Sequence, residues 1–266
     1  MLLITSSLQR RVGVSAAFFL AACGLGAATH SAAAADLPAV VAAFKPSVVG
    51  VGTYLKTRSP AVMFSGTGFV VEDGMSIITN AHVVPDVLDS EKREALGIVV
   101  SKGSDTEFRP VTVVAVDKVH DLAHLRLTGG APLPAIKLGQ DSDAAEGMDL
   151  AITGFPLGMV LGLHPATHRA LLAAITPIVL PSLNSRTLDA RMIKQLNKAP
   201  FKIYQLDGTV YPGNSGSPVY DPATGVVLAV INMTFVKGLK ESAITNPSGI
   251  SYAIPVSHVR DLLQRK

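Results

Sequence analysis

Short apolar runs, separated by glycine, proline and polar turns, recur along the chain from about Val40 onward. Runs of this length that are rich in valine and isoleucine are typical of β-strands, and their close spacing favours a sandwich or a closed barrel. The strands predicted in the first half are Val48–Tyr54, Gly68–Val71, Ser76–Thr79, Ile98–Val100, Val111–Val116 and Leu122–Leu127. Those predicted in the second half are Leu150–Gly154, Ala170–Val179, Phe201–Leu206, Val219–Tyr220, Val226–Asn232 and Ile250–Ile254.

A connector divides the two sets of strands. It begins at Gly129-Gly130-Ala131-Pro132 and reaches toward Asp143. We therefore predict two units after the first 35 residues, at residues 36–140 and 141–266. The fold class is all-β.

Three segments depart from the strand pattern. Pro255–Gln264 predicts a terminal helix, because its apolar residues recur at helical spacing. Pro85–Leu96 is polar and compatible with a helix, and Ser182–Pro200 is basic and has a helical stretch around Leu188–Leu196.

Residues 1–35 have the pattern of an export signal. Arg10-Arg11 precede a short apolar run at 12–20, and small residues follow as far as Ala35. The apolar run is shorter than the roughly 20 residues that a membrane-spanning helix needs. Two cleavage sites stay open. One lies near Ala35, and the other lies before Cys23, because Leu20-Ala21-Ala22-Cys23 resembles a bacterial lipoprotein box whose lipid would tether the protein to a membrane surface.

Composition narrows the function further. Cys23 is the only cysteine, so the chain after it can form no internal disulfide and must be stabilised by packing. The formal net charge is +3, and loss of residues 1–35 leaves +1 because that segment holds two arginines and no acidic residue. A nearly neutral domain without a basic, aromatic-rich run gives no reason to expect nucleic acid as a partner.

Three motifs carry candidate chemistry. They are Thr79-Asn80-Ala81-His82-Val83-Val84, Asp121-Leu122-Ala123-His124-Leu125 and Gly213-Asn214-Ser215-Gly216-Ser217-Pro218. Each lies at a β-element boundary, and in chain order they supply a histidine, an aspartate and a serine. A serine hydroxyl becomes nucleophilic when a histidine takes its proton and a carboxylate orients that histidine. We predict His82, Asp121 and Ser215 as catalytic, with amides in the segment Gly213, Asn214 and Ser215 stabilising an oxyanion.

These motifs, with Ser65-Gly66-Thr67-Gly68-Phe69-Val70 and Ser251-Tyr252-Ala253-Ile254-Pro255, resemble the trypsin-like serine proteases and, within them, the HtrA/DegP-type bacterial enzymes. The resemblance covers roughly residues 45–260. It implies two six-stranded antiparallel β-barrels, with His82 and Asp121 in the first and Ser215 in the second. It also implies polypeptide substrates and no cofactor, and it leaves the oligomeric state open, a trimer being one family arrangement.

The sequence departs from that family in three respects, one of which is that Ser182–Pro200 is longer than the family norm. HtrA-type chains usually continue into PDZ domains, whereas this sequence ends at Lys266 just after the predicted helix, so regulation through such a domain is not expected. Gly216-Ser217-Pro218 replaces the more usual Gly-Gly and is similar to glutamyl endopeptidases of the same fold.

The specificity pocket is predicted from the same resemblance. Trypsin-type cleavage needs a carboxylate six residues before the nucleophile, where this chain has Thr209, and glutamyl endopeptidases use a histidine where this chain has Asn232. The predicted pocket is neutral and mostly apolar, and it favours small or medium aliphatic residues before the scissile bond. Its predicted members are Thr209, Ile231, Asn232, Met233 and Ile250.

Other polar residues have plainer interpretations. His120-Asp121-Leu122-Ala123-His124 mimics a zinc-protease pattern, but that pattern needs a helix and these surroundings are strand-like. No metal is predicted. His164 and His168 are expected in a surface loop, and Asp117 is expected to be an exposed turn carboxylate.

The leading hypothesis is an exported serine endopeptidase that acts on unfolded or flexible polypeptides through an acyl-enzyme intermediate, in the bacterial periplasm or cell envelope. Two alternatives stay open: a catalytically silent binding module of the same fold, and a processing protease with a narrow target. The first is disfavoured because all three candidate catalytic residues are present.

Overall fold

The computed structural model describes residues 37–102, 105–158, 163–177, 201–232 and 249–265. These residues form twelve strands that close into two barrels. The strands of the first barrel are β1 (Val48–Tyr54), β2 (Val62–Val71), β3 (Ser76–Thr79), β4 (Ala95–Lys102), β5 (Asp105–Asp117) and β6 (Leu122–Leu127). The strands of the second are β7 (Asp149–Gly154), β8 (Ala166–Pro177), β9 (Lys202–Asp207), β10 (Pro218–Tyr220), β11 (Val227–Ile231) and β12 (Ile250–Pro255).

The two barrels share one topology. The first has the order β1-β2-β3-β6-β5-β4 and closes through antiparallel pairing of β1 with β4. The second has the order β7-β8-β9-β12-β11-β10 and closes through pairing of β10 with β7. The predicted pair of six-stranded barrels is confirmed. Closure leaves no free strand edge, so the backbone of each sheet is hydrogen-bonded all the way round.

Apolar side chains fill each barrel because alternate residues of a strand point to the same side of the sheet. The first interior contains, among others, Val49, Val51, Val70, Ile77 and Leu125. The second contains Leu150, Ile152, Leu172, Leu228 and Ile231. A further apolar cluster draws on strands of both barrels and on the terminal helix.

The terminal helix α2 runs from Val256 to Leu263, as the apolar spacing predicted. Val256, Val259 and Leu262 are buried, and the helix packs against β5 and β6 of the first barrel as well as β11 of the second. A helix that follows the last strand of one barrel thus lies on the wall of the other. This packing ties the two barrels together.

One helix was missed by the sequence prediction. Helix α1 spans Leu37–Phe44, and the ring of Phe44 stacks on Tyr220 of the second barrel at a centroid distance of 3.8 Å. The signal was present, because Leu37, Val40 and Phe44 recur at helical spacing and all pack on the apolar cluster. Among the described residues, no helix is both long and apolar enough to cross a bilayer.

The helix-compatible interpretation of Pro85–Leu96 is wrong. Residues 85–94 form an irregular loop, and β4 begins at Ala95. Arg93 adopts a left-handed backbone with φ of 58°, which ends any helical turn. Glu94 holds the end of this loop, because its carboxylate accepts hydrogen bonds from Thr53 and Arg58. The helix expected at Ser182–Pro200 falls outside the described residues.

Candidate active site

Asp121 occupies the last position of the tight turn between β5 and β6. Its backbone is left-handed, with φ of 54°, a conformation that costs a non-glycine residue about 1 kcal/mol. The carbonyl oxygen of Asp121 accepts hydrogen bonds from Nδ2 of Asn80 at 3.0 Å and from the amide of Ala81 at 3.1 Å. The strained turn is therefore fastened to the segment that carries His82.

His82 lies in a 3-10 turn, Ala81–Val83, directly after β3. Its backbone amide donates to Oδ1 of Asp121 at 2.9 Å, and its Nδ1 lies 2.6 Å from Oδ2 of the same carboxylate. With Nδ1 as the donor, Nε2 carries the free lone pair and is the atom that can accept a proton. The side chains are partly shielded, 25% exposed for His82 and 16% for Asp121.

The second barrel reaches across to the same carboxylate. Asn232, which follows β11 and is buried, donates a hydrogen bond from Nδ2 to Oδ2 of Asp121 at 2.9 Å. The carboxylate thus receives donors from His82 and from Asn232, which lie on different barrels. A carboxylate fixed by several donors can orient an imidazole and stabilise its protonated form.

Ser215 lies in a loop that needs two glycines. Gly213 has φ of 101° and Gly216 has φ of 85°. A Cβ at position 213 would overlap the carbonyl oxygen of Phe155, and one at position 216 would overlap the carbonyl oxygen of Thr67. Both positions therefore exclude larger residues. Ser215 itself is 8% exposed.

Thr67 connects this loop to the first barrel. Its amide donates to the carbonyl of Ser215 at 2.8 Å, and its hydroxyl donates to the carbonyl of Gly213 at 2.7 Å. The same hydroxyl accepts from the amide of Phe155 at 3.1 Å, and Thr79 donates to the carbonyl of Thr67 at 2.7 Å. The amide and the hydroxyl of Thr67 therefore join β2 to the serine loop, while its carbonyl is bonded to Thr79 of β3. Sequence reasoning missed this role, because nothing in the pattern of the Thr67 motif reveals its partners.

These contacts bring the serine loop beside the histidine turn. A Cβ placed on Gly66 would lie 2.6 Å from Cγ2 of Val83 and 3.0 Å from the carbonyl oxygen of Ser215, so one glycine separates Val83 from the serine loop. Both Ser215 and His82 are described, and the structure records no hydrogen bond between Oγ of Ser215 and the imidazole. In unliganded active sites this bond is often longer than in the substrate complex.

The amides predicted to bind an oxyanion differ in their partners. The amide of Asn214 donates to the carbonyl of Tyr211 at 3.0 Å, so it does not point at a ligand. Within the described residues, the amides of Gly213 and Ser215 donate to no backbone or side-chain acceptor. These two amides are therefore the ones that could donate hydrogen bonds to an oxyanion.

The described residues of the predicted pocket lie on or directly after the neighbouring strands β9, β11 and β12. Ile231 is buried inside the second barrel, and the side-chain amide of Asn232 donates to Asp121. Thr209 is half-buried, and Ile250 is 47% exposed at the start of β12. Met233 and Cys23 lie outside the described residues.

Two expectations about polar residues are wrong. Asp117 is not an exposed turn carboxylate but is 4% exposed, because its carboxylate is enclosed by His120 and Arg265. His168 lies on β8 rather than in a loop, with Nε2 buried. The residues of the zinc-like pattern do not converge either. His120 binds Asp117, Asp121 binds His82, and His124 is buried with neither ring nitrogen hydrogen-bonded to a described residue.

Comparison with known proteins agrees with this geometry. A family profile described as "Trypsin-like peptidase domain" matches residues 66–230, which is more than half of the chain. The chain belongs to the trypsin-like peptidase family. The matched region of this trypsin-like peptidase runs from β2 into β11 and includes His82, Asp121 and Ser215.

The curated relatives of this peptidase domain include HtrA proteins. Mitochondrial serine protease HTRA2 from Bos taurus is 31% identical over 201 residues, which cover 76% of this chain and 36% of that protein. Serine protease HTRA4 from Homo sapiens is 28% identical over 230 residues, which cover 85% of this chain and 40% of that protein. The chain therefore spans well under half the length of these relatives, and the HtrA resemblance read from the motifs is confirmed.

Solved structures share the fold. The Rv3671c protease from M. tuberculosis in its active form has a TM-score of 0.57 and 24% identity, covering 85% of this chain and 83% of that one. Deg5 has a TM-score of 0.59 and 22% identity, covering 84% and 90% of the two chains. At these identities the likeness establishes the arrangement of the barrels and nothing more specific.

Proposed function

We propose that this protein is a serine endopeptidase in which Ser215 is the nucleophile, His82 the general base and Asp121 the carboxylate that orients it. One observation carries the proposal. His82 is held against the carboxylate of Asp121 by two contacts, beside the glycine-flanked loop of Ser215. Its backbone amide donates to Oδ1 at 2.9 Å, and Nδ1 of its imidazole lies 2.6 Å from Oδ2. Relatives that bear the name serine protease support the assignment.

The chemistry follows from these roles. Nε2 of His82 takes the proton from Oγ of Ser215 while Oγ bonds to the carbonyl carbon of the scissile peptide. The carbonyl oxygen becomes an oxyanion that accepts hydrogen bonds from the amides of Gly213 and Ser215. The tetrahedral intermediate collapses to an acyl-enzyme when the imidazolium gives its proton to the leaving amine. A water molecule, deprotonated by the same imidazole, then hydrolyses the ester and regenerates Ser215.

The substrates we propose are flexible or unfolded polypeptides. Attack by Ser215 needs an extended segment that reaches the loops of both barrels beside His82, and a folded protein rarely offers one. We further propose cleavage after small or medium aliphatic residues. Position 209 is a threonine rather than an acid, so it supplies no charge that would favour lysine or arginine.

Export is part of the proposal. It rests on residues 1–35, with a basic start, a short apolar run and small residues before Asp36. Mass spectrometry of the N-terminus of the processed protein tests it. A terminus near residue 36 indicates ordinary signal cleavage, an acylated Cys23 indicates a lipid anchor, and an uncleaved N-terminus contradicts export.

A fluorophosphonate probe with the purified protein tests the activity. We expect a covalent adduct on Ser215 and digestion of casein, and neither in the Ser215→Ala variant, which retains the backbone of the loop. A folded wild-type protein that forms no adduct and cleaves no casein would instead be a binding module.

A peptide library tests the specificity separately. Cleavage predominantly after arginine, lysine or glutamate would contradict the aliphatic preference while leaving the peptidase assignment intact. Cleavage of a single sequence in a proteome-wide digest would identify a processing protease with a narrow target.

A further inference from the structure

The turn that ends at Asp121 is built around a second carboxylate, that of Asp117. This residue closes β5, and its Oδ1 accepts the amide hydrogens of Val119 at 2.9 Å and His120 at 3.1 Å. The carboxylate thus holds the backbone of residues 118–120, which lead directly into Asp121. Such side-chain bonds to amides two and three residues ahead are typical of an Asx turn.

The terminal helix supplies the other partners of Asp117. Nη2 of Arg265, just beyond the end of α2, donates to Oδ2 of Asp117 at 2.8 Å, and Nδ1 of His120 lies 2.8 Å from the same oxygen. The ring of His258, inside α2, stacks on His120 with a centroid distance of 3.8 Å and an angle of 16°. We call Asp117, His120, His258 and Arg265 the terminal latch.

The charge in the latch is permanent at physiological pH. Burial disfavours the charged form of Asp117, but hydrogen bonds from the side chain and backbone of His120 outweigh it and lower the pKa to about 2. The buried carboxylate of Asp117 depends on its hydrogen-bond donors, since removing a partner of a buried charge lowers the free energy of unfolding far more than removing a partner of a surface charge. The terminal helix is therefore bound to the turn by the hydrogen bond from Arg265 to Asp117, which requires the two side chains to stay close together.

Asp121 depends on the shape of this turn. Its left-handed backbone persists because surrounding contacts hold it there, and residues 118–120 are held by Asp117. A turn that relaxed would move the carboxylate of Asp121 away from Nδ1 of His82, a distance of 2.6 Å in the structure. Small displacements of an orienting group can reduce turnover by about a hundredfold.

We propose that the C-terminal helix is a positioning element for catalysis: through Arg265 and His258 it fixes the turn of Asp117 and His120 and thereby aligns Asp121 with His82. The proposal rests on the proposed peptidase function for its effect on turnover. The four members are positioning residues and touch no substrate.

Variants of the full chain test the proposal. Arg265→Gln removes the charge at a side chain that is 48% exposed, and Asp117→Asn removes the anion with little change of volume. Lys118→Ala is the matched control, because Lys118 lies in the same turn, is 81% exposed and has its ammonium 3.7 Å from the carboxylate of Asp86. Arg265→Lys tests partial rescue, since it keeps the charge but loses the planar guanidinium.

Two readouts separate positioning from stability. The first is kcat and KM, normalised to the folded fraction measured by circular dichroism. The second is the low-field proton resonance of Nδ1–H in His82, which reports its bond to Asp121 whether or not the protein cleaves peptides. We expect kcat to fall about tenfold in Arg265→Gln and Asp117→Asn with little change in KM, partial recovery in Arg265→Lys and no change in Lys118→Ala. The proton resonance is expected to shift or broaden in the first two variants.

Failure of the two proposals would look different. If the wild type is active and both latch variants keep wild-type kcat and an unaltered His82 proton, the positioning proposal is wrong and the peptidase assignment stands. If the wild type forms no adduct with the fluorophosphonate probe, the peptidase assignment is wrong, and the proton resonance alone decides whether the latch aligns Asp121. A lower melting temperature with unchanged normalised kcat also contradicts the proposal, because a purely structural latch produces that result.

Discussion

Asn232 and Asp121 are 111 positions apart in the chain, and Nδ2 of Asn232 donates to Oδ2 of Asp121 at 2.9 Å. The donor belongs to the second barrel and the acceptor to the first. Oδ2 of Asp121 also faces Nδ1 of His82. Because the amide of Asn232 is neutral, it holds this carboxylate in one orientation without placing a second positive charge beside it. The candidate active site is thus completed only when the barrels are docked.

Loss of this amide should reduce turnover. In Asn232→Ala, Asp121 loses one donor, and a hydrogen bond to a charged group contributes about 1.5–3 kcal/mol. If most of that is realised in the transition state, kcat falls by roughly 10- to 100-fold, with KM changed little. Steady-state kinetics on a peptide substrate measures kcat and KM of the variant. Asn232→Asp places a second anion beside Asp121 and should lower kcat further. An Asn232→Ala variant with wild-type kcat would contradict this role for Asn232.

Thr67 should be important through its hydroxyl rather than its bulk. Thr67→Val keeps the shape but leaves the carbonyl of Gly213 and the amide of Phe155 without their bonds to Oγ1, which costs about 1–3 kcal/mol for each group left buried and unpaired. We expect lower stability in urea unfolding together with a lower kcat, because the serine loop loses an anchor. Thr67→Ser keeps the hydroxyl and serves as the control. Equal kcat in the Val and Ser variants would show that the loop does not need this link.

Gly213 should tolerate no side chain. Gly213→Ala introduces a Cβ that overlaps the carbonyl of Phe155 in a backbone with φ of 101°. Relief of the overlap must turn the amide of residue 213, and loss of one oxyanion donor typically costs about 100-fold or more in kcat. The expected result is a folded protein that binds a peptide inhibitor but turns over slowly. Gly147→Ala, at another left-handed glycine with open space around it, controls for backbone strain alone.

Acid should destabilise the fold through buried histidines. Burial lowers the pKa of His124 below its ordinary 6.5, so the unfolded chain binds this proton more readily than the folded one. The free energy of unfolding is therefore unaffected by His124 well above pH 6.5. It falls as the pH drops below 6.5 and stops falling once the pH is beneath the folded-state pKa.

His124→Leu tests this dependence. The variant removes one of the buried histidines that gain a proton on unfolding, so its stability should decline less between pH 7 and pH 5 than that of the wild type, as followed by denaturant titration at each pH. His164→Leu, at an exposed position, serves as the matched control for the loss of one histidine. Parallel curves for the wild type and His124→Leu would mean that His124 is not the source of the acid sensitivity.

The local pattern of the sequence was enough for the strands and for the motif residues. Alternating apolar side chains and turn residues act over a few positions, so runs such as Leu122–Leu127 and Ser76–Thr79 were predicted with the bounds they have in the structure. The order of His82, Asp121 and Ser215 at the ends of such strands, together with the surrounding motifs, indicated two barrels and the family. These features depend on near neighbours and on residue types that a loop or strand requires.

Tertiary structure alone decided which side chains meet. Nothing in the sequence indicated that Asn232 binds Asp121, and Asp117 was predicted at the surface and instead lies under the terminal helix. Both contacts escaped sequence prediction for the same physical reason. A buried polar group takes whichever partner the docked barrels and helix bring within hydrogen-bond distance, and that partner can be more than a hundred residues away, where no local spacing can reveal it.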